Sequence, residues 1–251
     1  MIASRSAIRL LYSIAGCVLL LAAVEIVGKT QVAGKAWPPL SEIVDYAFSK
    51  PGWKLIRSNA IDTLTSAAKG FVLGAVVAVI GAALGLIIPV LRPGFDRLAA
   101  LLNAIPTIAL APLLITTVGR TNTPVVIAAL SVGFVTFVAT TAGLADADGR
   151  HQDLFSVMGS SRWQRLRRLE YPHAVPALLD GLTLAAPAAI LGATIGEWFG
   201  APKGLGLIIV SAMQNYQMTL LWSAALAATV MSLVAYLVFV QIQRIGMRRF
   251  T

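Results

Sequence analysis

The sequence predicts an all-α membrane protein: about six transmembrane helices, with a short cytoplasmic helix between the fourth and fifth. Three observations predict it. Of the 251 residues, 57% are hydrophobic and only 12% are charged, against roughly 25% charged in a soluble domain. The apolar residues fall in long runs, and about 20 such residues span a bilayer. The arginines concentrate in the segments between alternate runs, the positive-inside pattern of cytoplasmic loops.

The first span runs near 8–28, behind Arg5 and Arg9. It is longer than the roughly 7–15-residue core of a secretory signal. A transmembrane helix is the preferred reading, and a signal peptide cleaved near "VAGKA" is the alternative. A segment follows in which Ser41–Phe48 reads as a short amphipathic helix, and Trp37 and Trp53 suit a membrane interface. The second span runs near 62–90 and ends before "LRPG". The third lies near 97–118 and is interrupted by Pro106 and Pro112. The fourth follows "TNTP", where Thr123 can cap and Pro124 can enter the first turn. The fifth runs near 176–199 and the sixth near 220–243. The chain from 1 to 251 reads as one integral membrane domain, with no convincing internal repeat.

Six spans put both termini on one side, and the arginines make that side cytoplasmic. Residues 146–173 are then the largest cytoplasmic loop. Glycine and alanine recur every fourth residue at Gly70, Gly74 and Ala78, and again at Ala188, Gly192 and Gly196. Small residues at that spacing let helix backbones approach closely in lipid. Pro106, Pro112 and Pro187 interrupt spans, which is tolerated where the freed backbone groups are buried or line a cavity. The third and fifth spans are therefore the candidate pathway walls, with simple packing kinks as the alternative.

The net charge of +9 has anionic membrane lipid as its simplest partner. The basic residues sit between long apolar runs, so nucleic-acid binding is not the favoured reading. Cys17 is the single cysteine, and His151 and His173 are the only histidines. No metal site is expected from such a set.

The segment "DLFSVMGSSRWQRLRRLEYP" is unlike its surroundings. Asp153 suits the first turn of a helix. Leu154, Phe155 and Met158 fall together on one face, and Gly159 ends or bends the helix. Arg162, Arg165 and Arg168 follow at three-residue steps as far as Pro172. Three readings fit. The helix lies on the membrane surface, the arginines only set orientation, or the apolar side chains fill a groove on a partner protein.

These residues resemble the signature loop of permease subunits of bacterial ATP-binding-cassette importers. The family pattern is Glu-Ala-Ala, three residues, Gly, nine residues, Ile, one residue, Leu-Pro. Asp153 stands at the Glu, Leu154 and Phe155 at the two Ala, and Gly159 at the Gly. Leu169, Tyr171 and Pro172 complete the match with its spacing intact. "GSSRW" is similar to the form found in the nitrate, sulfonate and taurine branch. "WPPLSEIVDYAF", "NAIPTIALAPLLI" and "GEWFGAPKGLGLII" resemble that branch too, so the likeness covers roughly residues 36–245.

The resemblance implies a permease subunit that forms half of a solute pathway, in the bacterial inner membrane, with a second permease as homo- or heterodimer. It implies cytoplasmic ATPase subunits, which bind the ATP and magnesium, and an external substrate-binding protein. The coupling helix toward the ATPase would use Asp153, Leu154, Phe155, Met158, Gly159, Ser160, Ser161, Arg162 and Trp163. Candidate pathway residues are Asn103, Pro106, Thr107, Pro187 and Glu197; Glu197, beside Trp198, also reads as interfacial. The chain carries no G-x-x-x-x-G-K-[ST] phosphate loop, so no catalytic residue is assigned. Two departures stand out: the bulky Leu154-Phe155 pair, and Arg120 in "TTVGRTNTP", where an interfacial position and a contact with an anion are both open.

A stand-alone transporter or channel is the alternative. It needs paired ionisable residues within the membrane, and Lys69, Asp180 and Glu197 read as lying toward span ends. A membrane enzyme would need a cluster of acid, base or nucleophile that the sequence does not offer.

Overall fold

The computed structural model describes residues 2–32, 34–145 and 171–248, with Val157, Gly159, Ser160, Gln164 and Arg168 between them. Among the described residues every regular element is a helix. They are α1 (Ile2–Thr30), α2 (Leu40–Phe48), α3 (Lys50–Ile87), α4 (Arg92–Ala104), α5 (Thr107–Val118), α6 (Thr123–Ala145), α7 (Tyr171–Glu197), α8 (Leu205–Gln214) and α9 (Met218–Met247).

Five segments are long and apolar enough to cross a membrane: Leu11–Thr30, Lys50–Ile87, Thr123–Leu144, Ala174–Glu197 and Met218–Met247. α4 and α5 qualify only as a pair, and they meet at a bend of 98°. The sequence predicts about six spans with the third interrupted by Pro106 and Pro112; the structure has five, with the bent pair in the place of the third. Ile105 and Pro106 form the break, in extended backbone with ψ of 123° and 115°. The residue before a proline is pushed away from helical geometry, which explains why the helix stops there. Pro112, by contrast, stays inside α5.

Other boundaries move as well. α3 begins at Lys50 and runs unbroken for 38 residues, where the sequence suggests a loop up to about 62. The Ser49 hydroxyl accepts from the Gly52 amide at 3.2 Å, and Pro51 lies in the first turn. A capped start with proline where no N–H is needed favours a helix. Thr123 does not act as an acceptor cap: its hydroxyl donates to the Gly119 carbonyl at 2.9 Å. α8 has no counterpart among the predicted spans, because ten residues are too few to cross a bilayer.

The core is a clasp around α6. A Cβ at Gly74 would overlap the Ala129 carbonyl oxygen, and one at Gly70 would press on Ala128 and the Val125 carbonyl. From α7, Gly192 lies against Ala128 and Ser131, and Gly196 against Pro124. The two small-residue stripes of the sequence thus grip adjoining faces of one helix, both reaching Ala128, which is how helices gain contact in lipid. Ala67, Val132, Ala185, Ala189, Ile190 and Ala193 fill the space between them. α9 closes the bundle, with Phe71 and Phe239 rings 4.8 Å apart.

α1 stands apart, with 6% of its span buried. It is tied to the bundle by Glu25, which accepts from the Ser41 amide (3.0 Å) and hydroxyl (2.8 Å) and so caps α2 from another element. One end of the bundle carries residues 198–204 and is called the turn end. The opposite end, where α6 stops and α7 begins, is the loop end. The tail of α9 reaches it, with Gly246 beside Leu179.

Candidate functional site: a turn-end staple and a broken helix

α7 ends in Glu197, and a glycine-rich turn leads into α8. Gly200 and Gly204 adopt φ of +88° and +127°, conformations that favour glycine. At Gly204 the requirement is doubled, because a Cβ would land on the Glu197 carboxylate. Three amides at the start of α8 then find side-chain acceptors. Gly204 N–H donates to Asn59 Oδ1 (2.9 Å), Leu205 N–H to Thr63 Oγ1 (2.8 Å) and Gly206 N–H to Glu197 Oε2 (2.8 Å). The Thr63 hydroxyl donates in turn to Glu197 Oε2 at 2.9 Å.

The first amides of a helix lack internal partners, and the N-terminal end is electropositive. A carboxylate and two neutral acceptors from α3 and α7 meet both needs. The result is a staple that fixes α8 and the turn to α3. Glu197 is 1% exposed and Thr63 fully buried. Glu197 Oε1 is buried and has no hydrogen-bond partner among the described residues. Glu197 ends a candidate span, and its carboxylate is inside the protein while Trp198 beside it is on the surface.

Asn103, Pro106 and Thr107 gather at the break between α4 and α5. Asn103 and Pro106 are exposed and Thr107 is half-buried. Next to the break lies a cavity of ≈ 370 Å³ between α3, α4 and α6. Leu73, Val77, Leu98, Leu102, Leu130 and Phe137 make its wall apolar. Pro187 is half-buried within α7. No hydrogen bond among the described residues joins Glu197 or Pro187 to the break. The five pathway candidates thus divide into a break group, a helix-interior proline and a staple residue.

Arg120 is exposed at the turn end, its guanidinium near Gly200. At the loop end, Gly159 has φ +65°, the left-handed geometry of a helix C-terminus. Ser160 is half-buried. Asp153, Leu154, Phe155, Met158, Ser161, Arg162 and Trp163 lie outside the described residues. Asn59 and Thr63 are the site residues that sequence reasoning missed. Their signal was a pair of polar residues four apart at the edge of an apolar run.

Residues 70–251 match the family described as the binding-protein-dependent transport system inner membrane component. The chain belongs to that family. It is a permease subunit of an ATP-binding-cassette importer, a multi-pass protein of the inner membrane. The riboflavin transport system permease of Chloroflexus aurantiacus is 29% identical to it over 86% of this chain and 77% of its own. The formylaminopyrimidine transport permease of Halalkalibacterium halodurans is 38% identical, over 41% of this chain. That match spans only 42% of the relative's length. Inward-facing structures of the MetNI methionine ABC transporter share the fold, with a TM-score of 0.67 at 17% identity over 79% of this chain and 99% of theirs. As a permease the chain is a non-catalytic subunit, and the staple and break are parts that hold or bend spans.

Proposed function

We propose that this permease forms half of a pathway for a small solute, paired with a second permease subunit and driven by cytoplasmic ATPase subunits that bind ATP and magnesium. An external substrate-binding protein delivers the solute to the turn end. The loop end and both termini face the cytoplasm. The family membership carries this reading, and the arginines in the 146–173 segment support the orientation. Leu154, Phe155 and Met158 then form the apolar side of the coupling helix, with Asp153 ahead of it and Gly159, Ser160, Ser161, Arg162 and Trp163 following. The relatives named for riboflavin and formylaminopyrimidine transport favour a small heterocyclic organic solute, and the one named for aliphatic sulfonates favours an anionic one.

The test is a charge placed on the apolar side. Phe155→Asp or Met158→Asp puts a carboxylate in an apolar groove, which is costly unless it is paired. ATP hydrolysis is expected to lose its coupling to transport. ATPase binding and coupling that match the unsubstituted protein return the segment to the membrane-surface reading.

A further inference from the structure

α3 shows two exposed strips side by side over the same turns. One is apolar: Ile61, Leu64 and Val72 are 54%, 49% and 61% exposed, with Ala68 between them. The other is polar: Ser58, Asp62 and Ser66 at four-residue steps, then Lys69 three residues on, all exposed or half-buried. Such steps keep residues on one face of a helix. The face opposite carries Ala67, Gly70 and Gly74 and is packed into the clasp.

Depth separates the strips in kind. Thr63 is held level with the end of α7 by its bond to Glu197. Lys69 is six residues further along α3, about 9 Å deeper at 1.5 Å per residue. The sequence suggests that Lys69 lies toward an end of the 62–90 span; in the structure it lies well inside α3, which begins at Lys50. Among the described residues Lys69 forms no ion pair; Lys29 pairs with Glu25. A lysine facing lipid at membrane depth is costly. The apolar Ile61–Val72 strip suits lipid, whereas a strip of hydroxyls and charges suits water or a polar partner. One turn below Lys69, Leu73 continues the polar strip into the wall of the ≈ 370 Å³ cavity bounded by α4.

We propose that the Ser58–Asp62–Ser66–Lys69 face of α3 lines the water-filled pathway, with the Lys69 ammonium as its contact for an anionic oxygen group on the solute. The proposal rests on the permease reading above. Lys69 is the deepest charge on the strip, so an anion is favoured at that level. Thr65, beside the strip, is satisfied within the helix by donating to the Ile61 carbonyl at 2.8 Å. Ser66 is left to face the solute next to Lys69.

The experiment uses single cysteines in a Cys17→Ala background, in the assembled transporter. Two membrane-impermeant methanethiosulfonates of opposite charge are the probes. A thiol in lipid stays protonated and unreactive, so Ser66→Cys and Lys69→Cys should react roughly tenfold or more faster than Leu64→Cys and Val72→Cys. At Ser66→Cys, adding Lys69→Gln should lower the preference for the anionic reagent over the cationic one about fivefold, as a nearby unit charge in water would. Equal protection of Ser66→Cys and Val72→Cys overturns the pathway assignment. An anion preference that survives Lys69→Gln overturns the role of Lys69. Only variants that still purify with an ATPase are scored. Protection within an intact, ATP-hydrolysing complex defeats this inference and leaves the permease reading standing.

Discussion

The clasp around α6 and the staple at the turn end both hold α3 and α7 in place, by opposite means. The clasp uses absence: Gly70, Gly74, Gly192 and Gly196 have no side chain, so backbones meet. The staple uses presence: Asn59, Thr63 and Glu197 each supply an acceptor that an amide of α8 needs. In lipid there is little hydrophobic gain between helices, so close packing has to replace it. At the bundle's end, where the chain turns back, unpaired amides become the dominant cost. The two joints respond differently to substitution, and that difference is measurable.

The largest effect is expected at the clasp. Gly74→Leu drives a side chain into the Ala129 backbone, which cannot move aside as a flexible side chain could. A loss of about 3 kcal/mol is expected, seen as collapse of the yield of monodisperse protein in detergent. Gly16→Leu is the matched control, since a Cβ there meets nothing within 4 Å. Equal yields for the two variants would break the account of the clasp.

The staple should respond less and more locally. Thr63→Val removes an acceptor for Leu205 N–H and a donor to Glu197, leaving buried groups unpaired. A cost of about 2 kcal/mol is expected, with faster hydrogen exchange at the amides of 204–206 and unchanged exchange in α6. Thr63→Ser keeps the hydroxyl and should restore protection. Asn59→Ala should cost less, about 1 kcal/mol, and expose the Gly204 amide alone. Exchange that rises throughout the bundle in these variants would show that the staple and clasp are one unit.

The sequence reveals the clasp and not the staple for a physical reason. Small residues every fourth position are a local signal, readable wherever a helix is expected. Thr63 and Glu197 are 134 positions apart, and nothing local links them. Glu197 was visible as a charge at a span end, but its burial depends on the turn folding back over it. The break at Pro106 was visible too, because proline stops a helix locally; its 98° angle depends on what α4 and α5 pack against. α3 extends past its apolar run because Ser49 and Pro51 start the helix early. The coupling residues from Asp153 to Trp163 were read by motif alone, and only Gly159, Ser160 and Val157 fall within the described residues.

The central claim is that this permease moves solute only with an ATPase beneath its loop end. Its most direct test is affinity purification of the chain from native membranes in mild detergent, with the co-purifying proteins identified and ATP hydrolysis measured. The account predicts a stoichiometric subunit that carries the G-x-x-x-x-G-K-[ST] loop this chain lacks and that hydrolyses ATP. A chain that purifies without such a subunit, and carries solute across liposomes by itself, would contradict it.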